Sequence, residues 1–348
     1  MKLSWALLLL FLQSGLFPAQ AQTGFLDLWC EYGGEGCTSA PRPNMTAKPA
    51  KKPPSNVTDT TTVKPIPDKK KTPVAATQIV NKRPPSVPLI KKNAVLAKSG
   101  NVTFGRYYAL VIGNNEYPNL DKLKTAVTDA KEVAALLRKS YGFSVTLLLN
   151  GTRDQIIAAL DEYRKILKKD DNLLIYYAGH GWMDKESERG YWLPVDASRD
   201  TRARWVSNAD VTDTLKALKA RHVMIVADSC YAGTLTRSAG ELDQTRGLKL
   251  TQQPSAYLET LAGRKSRTVL ASGALEPVSD LGGGKHSVFA YAFLKSLRDN
   301  TKMLDGTQLF GEVRRQVLLN ARQTPQYSNI RFAGHDVGGD FIFLRRDQ

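Results

Sequence analysis

A histidine and a cysteine each stand just after an apolar run of β-forming residues, and together they have the chemistry of a nucleophile and its base. His180 follows the run 172–178, and Cys230 follows the run 222–227. A thiol becomes an effective nucleophile when a base lies within hydrogen-bond reach. In open α/β sheets the reacting groups lie past the carboxyl ends of the strands. The two side chains are therefore predicted to meet at one edge of a sheet.

Small residues beside the pair fit the same chemistry. Gly181 and Gly233 keep the backbone open where a substrate carbonyl must approach, and the amides of Gly181 and Cys230 are candidate oxyanion donors. Each reactive residue alone has an ordinary explanation, because an isolated cysteine commonly packs as a small apolar residue and a lone histidine commonly caps or packs. The placement of both at strand ends favours catalysis.

The elements that must position these residues alternate between strand and helix over residues 101–348, which we predict to form one domain. Strands are predicted at 107–112, 144–149, 173–177, 222–227, 268–272 and 341–344, and helices at 123–137, 154–168, 211–218, 288–297 and 309–319. This alternation predicts an α/β fold with a mainly parallel central sheet and helices on both faces. The polar segments 182–190 and 234–267 are predicted to be long loops.

The motifs, taken in order, resemble those of the caspase and metacaspase superfamily of cysteine peptidases over residues 105–345. The segments that carry the resemblance are 108–115, the helix 123–137 with Asp129, 177–181, 191–196, 228–233, 272–273 and 286–289. The histidine precedes the cysteine by fifty positions, as is typical of caspases. The resemblance implies a caspase-like three-layer sandwich and hydrolysis of a peptide bond, with His180 as general base and Cys230 as nucleophile.

Two aspartates set the expected specificity apart from that of caspases, whose nucleophile follows Gln-Ala. Asp228 stands two positions before Cys230, and the resemblance to metacaspases pairs it with Asp129 and implies cleavage after Arg or Lys. Carboxylates in a pocket pair with a guanidinium or ammonium group and repel an acidic side chain. The alternative for Asp129 is a solvated helix residue. Ser272 and Gly273 are expected to line the substrate groove.

No metal and no cofactor are assigned from the sequence. Many metacaspases depend on calcium through an acidic cluster, but segment 206–210 lacks consecutive carboxylates here. Asp184 and Asp210 give weak support for a hard-cation site, so calcium remains a lesser alternative. Ala178 occupies a position where metacaspases often have serine, which alters that wall of the pocket.

The amino-terminal residues predict export. Residues 1–21 contain Lys2, an apolar run at 5–12 and an A-x-A site at 19–21, as in a cleaved signal peptide. The expected location is extracytoplasmic, either periplasmic or secreted, with an uncleaved anchor as the alternative. Residues 22–37 contain Cys30 and Cys37, which are spaced to close a disulfide in that compartment.

Residues 38–100 have the composition of a disordered linker. They hold eleven of the seventeen prolines and thirteen Lys or Arg residues against two Asp, so they cannot bury enough apolar surface to fold. Most of the net charge of +16 lies here. The linker is expected to contact anionic surfaces or to serve as a plain spacer. The rest of the chain has no basic patch interleaved with aromatic residues, so nucleic acid is not an expected partner. The expected partners are protein or peptide substrates with basic residues.

Cleavage after basic residues makes the segment 234–267 a candidate for self-processing, at Arg237, Arg246 or Arg264. Two competing hypotheses remain from the sequence: a legumain- or gingipain-type peptidase, and a catalytically inactive caspase-like scaffold of the cell envelope. The presence of both His180 and Cys230 favours an enzyme. The residue that orients His180 cannot be named from the sequence, and the other histidines, His222, His286 and His335, are expected to cap or pack.

Overall fold

The computed structural model describes residues 94–99, 102–229, 254–273 and 284–346. These residues belong to one compact unit, Gln78–Gln348. The predicted export signal, the segment 22–37 with its two cysteines, Cys230, Gly233 and the candidate cleavage sites Arg237 and Arg246 lie outside the described residues.

The described chain alternates between strands and helices much as its sequence predicts. The strands are β1 (Leu96–Ser99), β2 (Val102–Gly113), β3 (Ser144–Leu149), β4 (Asn172–Ala178), β5 (Gly181–Asp184), β6 (Arg189–Trp192), β7 (Val206–Ser207), β8 (His222–Asp228), β9 (Ser266–Ala271), β10 (Met303–Asp305), β11 (Gln326–Asn329) and β12 (Ile342–Leu344). The helices are α1 (Ala126–Tyr141), α2 (Arg153–Ile166), α3 (Asn208–Ala217), α4 (Pro254–Gly263), α5 (Val288–Asp299) and α6 (Gly306–Asn320).

A seven-stranded sheet forms the centre of the fold. Its order is β1-β2-β4-β8-β9-β11, with β3 also paired to β2. The pairs β2–β3, β2–β4, β4–β8 and β8–β9 are parallel, whereas β1 and β11 pair antiparallel with their neighbours. Two small antiparallel sheets, β5-β6-β7 and β10-β12, stand apart from it. The prediction of a mainly parallel central sheet is confirmed.

Helices cover both faces of this sheet because alternate strand residues point to opposite sides. On the first face, Tyr176 and Val226 pack with apolar residues of α1, α5 and α6. On the second face, Tyr177 and Ile225 pack with α2 and α3. Every residue of β4 and β8 is buried, as expected for central strands of a parallel sheet. The result is the three-layer sandwich that the sequence predicts.

Local signals fix the ends of the helices that frame the strand ends. Gly142 terminates α1 in the left-handed conformation, at φ +65°, and its N–H donates to the carbonyl of Leu137. Thr152 and Gln155 form a reciprocal capping box at the start of α2. Ser287 caps α5 by accepting a hydrogen bond from the N–H of Ala290.

Three segments differ from the sequence prediction. The predicted loop 182–190 is mostly a hairpin, because β5 and β6 pair and only the polar residues 185–188 form its turn. The predicted loop 234–267 contains α4 and the first residues of β9. The predicted linker 38–100 contributes β1, which pairs with the start of β2, so folded structure begins before residue 101. Short polar strands of this kind lack the apolar run that marks a buried strand.

Among the residues that the structure describes, none of the helices combines the length and the apolar character needed to cross a bilayer.

Candidate active site

The pairing of β4 with β8 keeps a constant offset of fifty residues along both strands, ending with Ala178 opposite Asp228. His180 and Cys230 are separated by the same fifty positions, so each is the second residue past one of two aligned strand ends. On the β8 side the described backbone stops at Ser229. The alignment is the one that a His180–Cys230 pair requires, while Cys230 itself lies outside the described residues.

The ring of His180 is held from two directions. Its Nε2 lies 2.7 Å from the backbone carbonyl oxygen of Asp121, and its centroid lies 4.7 Å from that of the Tyr117 ring. A carbonyl oxygen can only accept a hydrogen bond, so this contact assigns the proton to Nε2 and leaves the lone pair of Nδ1 as the basic site. The carbonyl of Asp121 is thus the orienting group that the sequence did not reveal.

Main-chain bonds fix the backbone of His180 as well. Its N–H donates to the Tyr117 hydroxyl at 3.0 Å, and its carbonyl accepts from the Tyr177 hydroxyl at 2.8 Å and from the Leu193 N–H at 2.9 Å. Burial raises the pKa of Tyr117 to about 12 and that of Tyr177 well above its ordinary value. Both phenols therefore stay protonated across the physiological pH range and keep these contacts.

Gly181 begins β5 and lies opposite Trp192. The Leu193 N–H donates to the His180 carbonyl, one position outside this pair on each strand. Gly181 and Trp192 are therefore a non-hydrogen-bonded pair of the antiparallel ladder, and the Gly181 N–H points away from β6. An N–H that is not used within the ladder is what an oxyanion donor requires.

Two buried carboxylates meet at the start of α5. Asp228, the last residue of β8, points to the first face like Val226, two positions earlier. Ser287 contacts both acids: its hydroxyl donates to Asp228 Oδ2 at 2.5 Å and its N–H donates to Asp129 Oδ2 at 3.3 Å. Asp129 is completely buried, so the alternative that it is a solvated helix residue is wrong.

His286 is the third polar group of this cluster. Its Nδ1 lies 2.5 Å from Asp129 Oδ1, and because a carboxylate only accepts, Nδ1 donates whether the ring is neutral or charged. Burial lowers the pKa of His286. The histidine therefore does more than cap or pack, because it holds the Asp129 carboxylate by a hydrogen bond. We call Asp129, Asp228, His286 and Ser287 the acidic cluster.

Ser272 and Gly273 lie at the same edge of the sheet. The N–H of Ser272 donates to the Ala227 carbonyl at 3.0 Å, and its hydroxyl lies 3.4 Å from the Ser229 carbonyl oxygen. Both Ser272 and Gly273 are buried. The structure thus gathers the predicted site residues His180, Gly181, Asp228, Asp129, Ser272 and Gly273 around the carboxyl ends of β4, β8 and β9.

Several residues of this site were not identified from the sequence. Tyr117 lies in the loop after β2, and its hydroxyl contact with His180 joins residues 63 positions apart. Ser287 precedes a predicted helix, which indicates a helix cap, but nothing in its spacing indicates that it bridges two carboxylates. His335 accepts a bond from the Arg267 N–H at the opposite edge of the sheet, in agreement with the packing role expected for it.

The residues proposed for a cation do not form a metal site. Asp184 forms an ion pair with Arg202 at 2.6 Å and accepts hydrogen bonds from the N–H groups of Glu186 and Ser187. Asp210 is an exposed residue in the first turn of α3. Within the described ranges, no three His, Cys, Asp or Glu side chains are grouped so that they could hold a metal ion.

A pocket of about 210 Å³ adjoins His180 on the side of β5. We call it the aromatic pocket, and its walls include Leu120, His180, Gly181, Trp182, Leu193 and Trp205. The rings of Trp182 and Trp205 lie 6.0 Å apart, between centroids. Gly181 and Trp182 belong to the small sheet β5-β6-β7, which is anchored by Trp192 and Val206 of the second-face core.

Comparison with known sequences places this geometry in a family. A family model for the caspase domain matches residues 106–333, nearly two thirds of the chain. The human mucosa-associated lymphoid tissue lymphoma translocation protein 1 is 38% identical over 95 residues, covering 27% of this chain and 11% of the relative. Metacaspase-1A of Neurospora crassa is 26% identical over 208 residues, covering 54% of this chain and 43% of the relative. The chain thus spans less than half the length of these relatives.

Solved structures with similar folds include caspase-1 from Spodoptera frugiperda, with a TM-score of 0.44 at 16% identity, over 64% of this chain and 86% of the other. A protein from Geobacter sulfurreducens gives a TM-score of 0.45 at 19% identity, over 63% of this chain and 91% of the other. The match to the family model covers most of the folded unit and includes every described residue of the site. The chain therefore belongs to the caspase-domain family, as a caspase/metacaspase-like peptidase domain.

Proposed function

We propose that the chain is a cysteine endopeptidase that hydrolyses peptide bonds after Arg or Lys, with Cys230 as nucleophile and His180 as base. The observation that carries the proposal is the fifty-residue register of β4 and β8, which aligns the positions of the two residues past the strand ends. The Nε2–H of His180 is engaged by Asp121, so the lone pair of Nδ1 is the one assigned to the thiol.

In the first half of the reaction, His180 Nδ1 takes the thiol proton of Cys230 and the sulfur attacks the scissile carbonyl carbon. The N–H groups of Gly181 and Cys230 stabilise the negative oxygen of the tetrahedral intermediate. As the intermediate collapses, the carbon–nitrogen bond breaks and His180 gives its proton to the leaving amine. The products of this half are a free amine and a thioester on Cys230.

In the second half, His180 Nδ1 takes a proton from water, and the resulting hydroxide attacks the thioester carbonyl. The carbon–sulfur bond then breaks, the acid product leaves, and Cys230 regains a proton from His180. No oxidant, metal or cofactor enters either half-reaction.

The acidic cluster supports a preference for basic side chains. Asp228 and Asp129 lie on the first face, next to the strand end that precedes Cys230. Because Asp129 already accepts hydrogen bonds from His286 Nδ1 and from the Ser287 N–H, we assign the larger part of the attraction to Asp228. A guanidinium or ammonium group entering here forms a charge-assisted pair, whereas an acidic side chain meets two carboxylates.

The test is covalent labelling of the full chain by a peptide that ends in arginine bearing a thiol-reactive electrophile, such as a fluoromethyl ketone. We expect one adduct per chain by intact mass, and peptide mapping is expected to place it on Cys230. A matched peptide ending in aspartate is expected to label far more slowly, since it lacks a cation for Asp228.

Cys230→Ala is the control for this experiment, because Cys30 and Cys37 remain as alternative targets. Equal labelling of the wild type and Cys230→Ala, or no labelling of either, would contradict the endopeptidase and favour a caspase-like scaffold without catalysis. Faster labelling by the aspartate peptide would retain the enzyme but overturn the basic specificity.

Self-processing is part of the proposal and is confined to Arg237 and Arg246. The third candidate, Arg264, lies in the two-residue link between α4 and β9, where its guanidinium donates to the Val337 carbonyl at 2.7 Å. A protease needs several residues in extended form, and this link is held at both ends by regular structure. Purified wild type is expected to be cut at Arg237 or Arg246, and Cys230→Ala is expected to stay intact.

We further propose that the enzyme acts outside the cytoplasm on proteins or peptides with basic residues, and that its basic linker contacts anionic surfaces. The support is the sequence of residues 1–21 and the excess of Lys and Arg in residues 38–100. Amino-terminal sequencing of the protein recovered from its native host is expected to begin near Gln22. A chain that retains Met1 and Lys2 would contradict cleavage of a signal.

A further inference from the structure

The acidic cluster belongs to the first face of the central sheet, whereas the aromatic pocket adjoins the small sheet β5-β6-β7 on the side of the second face. Asp228 points to the first face, among the side chains that pack against α5. The walls of the aromatic pocket come from β5 and from the loops around Leu193 and Trp205, and β6 and β7 next to them pack into the second-face core. His180 itself lines the pocket.

We propose that the aromatic pocket binds the side chain of the residue that follows the scissile bond, and that it prefers large apolar side chains there. This inference rests on the proposed function. His180 must give its proton to the leaving nitrogen, so the residue bonded to that nitrogen lies within a few ångströms of the imidazole. The basic side chain before the scissile bond goes to the acidic cluster, and the aromatic pocket beside His180 therefore receives the leaving residue.

The residues that line the aromatic pocket favour a large apolar side chain. Two indole rings and two leucines are among the eight residues that line the pocket. Trp182 is 42% exposed, so a ring or branched chain placed on it removes apolar surface from water. The pocket volume is about 210 Å³. An enclosed apolar cavity of about 150 Å³ is large enough to hold benzene. One Phe or Leu side chain therefore fits.

The two charged residues that line the pocket, Asp121 and Arg199, do not favour an acidic occupant. Arg199 lies there, but its guanidinium is 3.8 Å from the carboxylate of Asp121. Both side chains are largely exposed, at 71% and 92%, so water screens them. Arg199 and Asp121 together contribute no net charge to the pocket. The apolar walls therefore determine which side chain it prefers.

The test is a series of internally quenched peptides that share Arg before the scissile bond and differ only in the next residue, which is Phe, Leu, Gly or Glu. We expect kcat/KM for the Arg–Phe peptide to exceed that for Arg–Gly by about tenfold, the range that one apolar side chain provides in a pocket. Trp182→Ala is expected to reduce this ratio to about twofold, since it removes most of one apolar wall. Thermal denaturation and circular dichroism of Trp182→Ala, compared with the wild type, report whether the variant is folded.

Tyr291→Ala is the matched control, because Tyr291 is an aromatic residue of similar exposure, 44%, on α5. It is expected to keep the Arg–Phe to Arg–Gly ratio of the wild type. Equal rates for Phe and Gly, a preference for Glu, or an unchanged ratio in Trp182→Ala would overturn the subsite while leaving the endopeptidase in place. Failure to cleave any peptide of the series would overturn both.

Discussion

The two ends of the β4–β8 strand pair each carry a histidine, and their environments are opposite. At the amino end, His222 is buried, with Nδ1 2.6 Å from Asn172 Oδ1 and Nε2 3.0 Å from the Leu261 carbonyl oxygen. At the carboxyl end, His180 is partly exposed and only its Nε2 has an assigned contact among the described residues, with Asp121. One ring is enclosed on both sides and the other presents a nitrogen to the site.

This contrast separates a histidine that is enclosed by protein partners from one whose exposed ring the proposed peptidase requires. The amino-end edge is closed by polar groups that find protein partners, such as the Arg267 guanidinium, which donates to the carbonyls of Leu218 and Ala220. The carboxyl-end edge holds the His180 ring, which contacts Asp121 through Nε2, and the Asp228 carboxylate, which accepts from the Ser287 hydroxyl. The register of the strands fixes which histidine stands at which edge.

Replacing His180 is expected to have the largest effect on activity. For His180→Ala, kcat/KM on Arg peptides should fall at least about a thousandfold, because the base and the proton donor are both lost. The melting temperature should change little, since the ring lies at the edge of the fold. Activity assays and thermal denaturation of the same preparations check both statements. Retained peptidase activity in His180→Ala would mean that His180 is not the catalytic base.

The pH dependence of stability tests the other histidine. Burial lowers the pKa of His222 to about 4, and the hydrogen bond to the Leu261 carbonyl opposes this shift in pKa. In the unfolded chain the pKa is about 6.5, so between these values the unfolded state binds more protons and the free energy of unfolding decreases as the pH falls. The total loss is expected to reach about 3 kcal/mol between pH 6.5 and 4.

Urea denaturation of the wild type and His222→Gln at a series of pH values measures this loss. The variant is expected to show a flatter dependence between pH 6.5 and 4. The same slope in both proteins, or a wild type that becomes more stable on acidification, would show that His222 is held in the charged form by its two oxygen partners.

Asp228→Asn removes the charge that we assign to substrate recognition while keeping its size. We expect kcat/KM for Arg peptides to decrease by about a hundredfold, because a charge-assisted pair in a buried site is lost. Asp161→Asn, an exposed residue of α2, is the matched control and should behave as the wild type. If Asp228→Asn cleaves Arg peptides normally, the acidic cluster does not form the specificity pocket.

His286→Ala should have a smaller effect, in KM more than in kcat. Loss of the Nδ1 contact removes one of the hydrogen-bond donors to Asp129, and KM for Arg peptides is expected to rise about tenfold as the carboxylate loses part of its orientation. His335→Ala, which removes a partner of Arg267 at the amino-end edge, should leave KM unchanged. Similar changes in both variants would indicate a general loss of packing.

Much of the sheet could be predicted because its central strands are continuous apolar runs. For example, β3 has the bounds that its pattern predicts, and β4 and β8 differ from the prediction by one or two residues. The fifty-residue separation of His180 and Cys230 can be counted in the sequence, and it equals the offset between the paired residues of β4 and β8. Apolar pattern and residue spacing thus predict the central strands and the alignment of their ends.

The remaining features depend on contacts that leave no local pattern. The Asp121 group that orients His180 is a backbone carbonyl, and any residue type would supply it. Strand β11, with the sequence Gln-Tyr-Ser-Asn, has one apolar residue and forms only because β9 offers an edge. The link between Asp129 and His286 joins residues 157 positions apart, and each alone resembles an ordinary helix residue or cap.

The most direct test of the central claim is the rate at which iodoacetamide alkylates Cys230 as a function of pH, followed by peptide mapping in the wild type and in His180→Ala. If the thiol and the imidazole share one crevice, the wild-type rate should rise with an apparent pKa well below the ordinary value of about 8.5, because the imidazolium stabilises the thiolate. In His180→Ala the midpoint should return towards the ordinary value. Identical profiles in the two proteins would contradict the pairing on which the proposed peptidase depends.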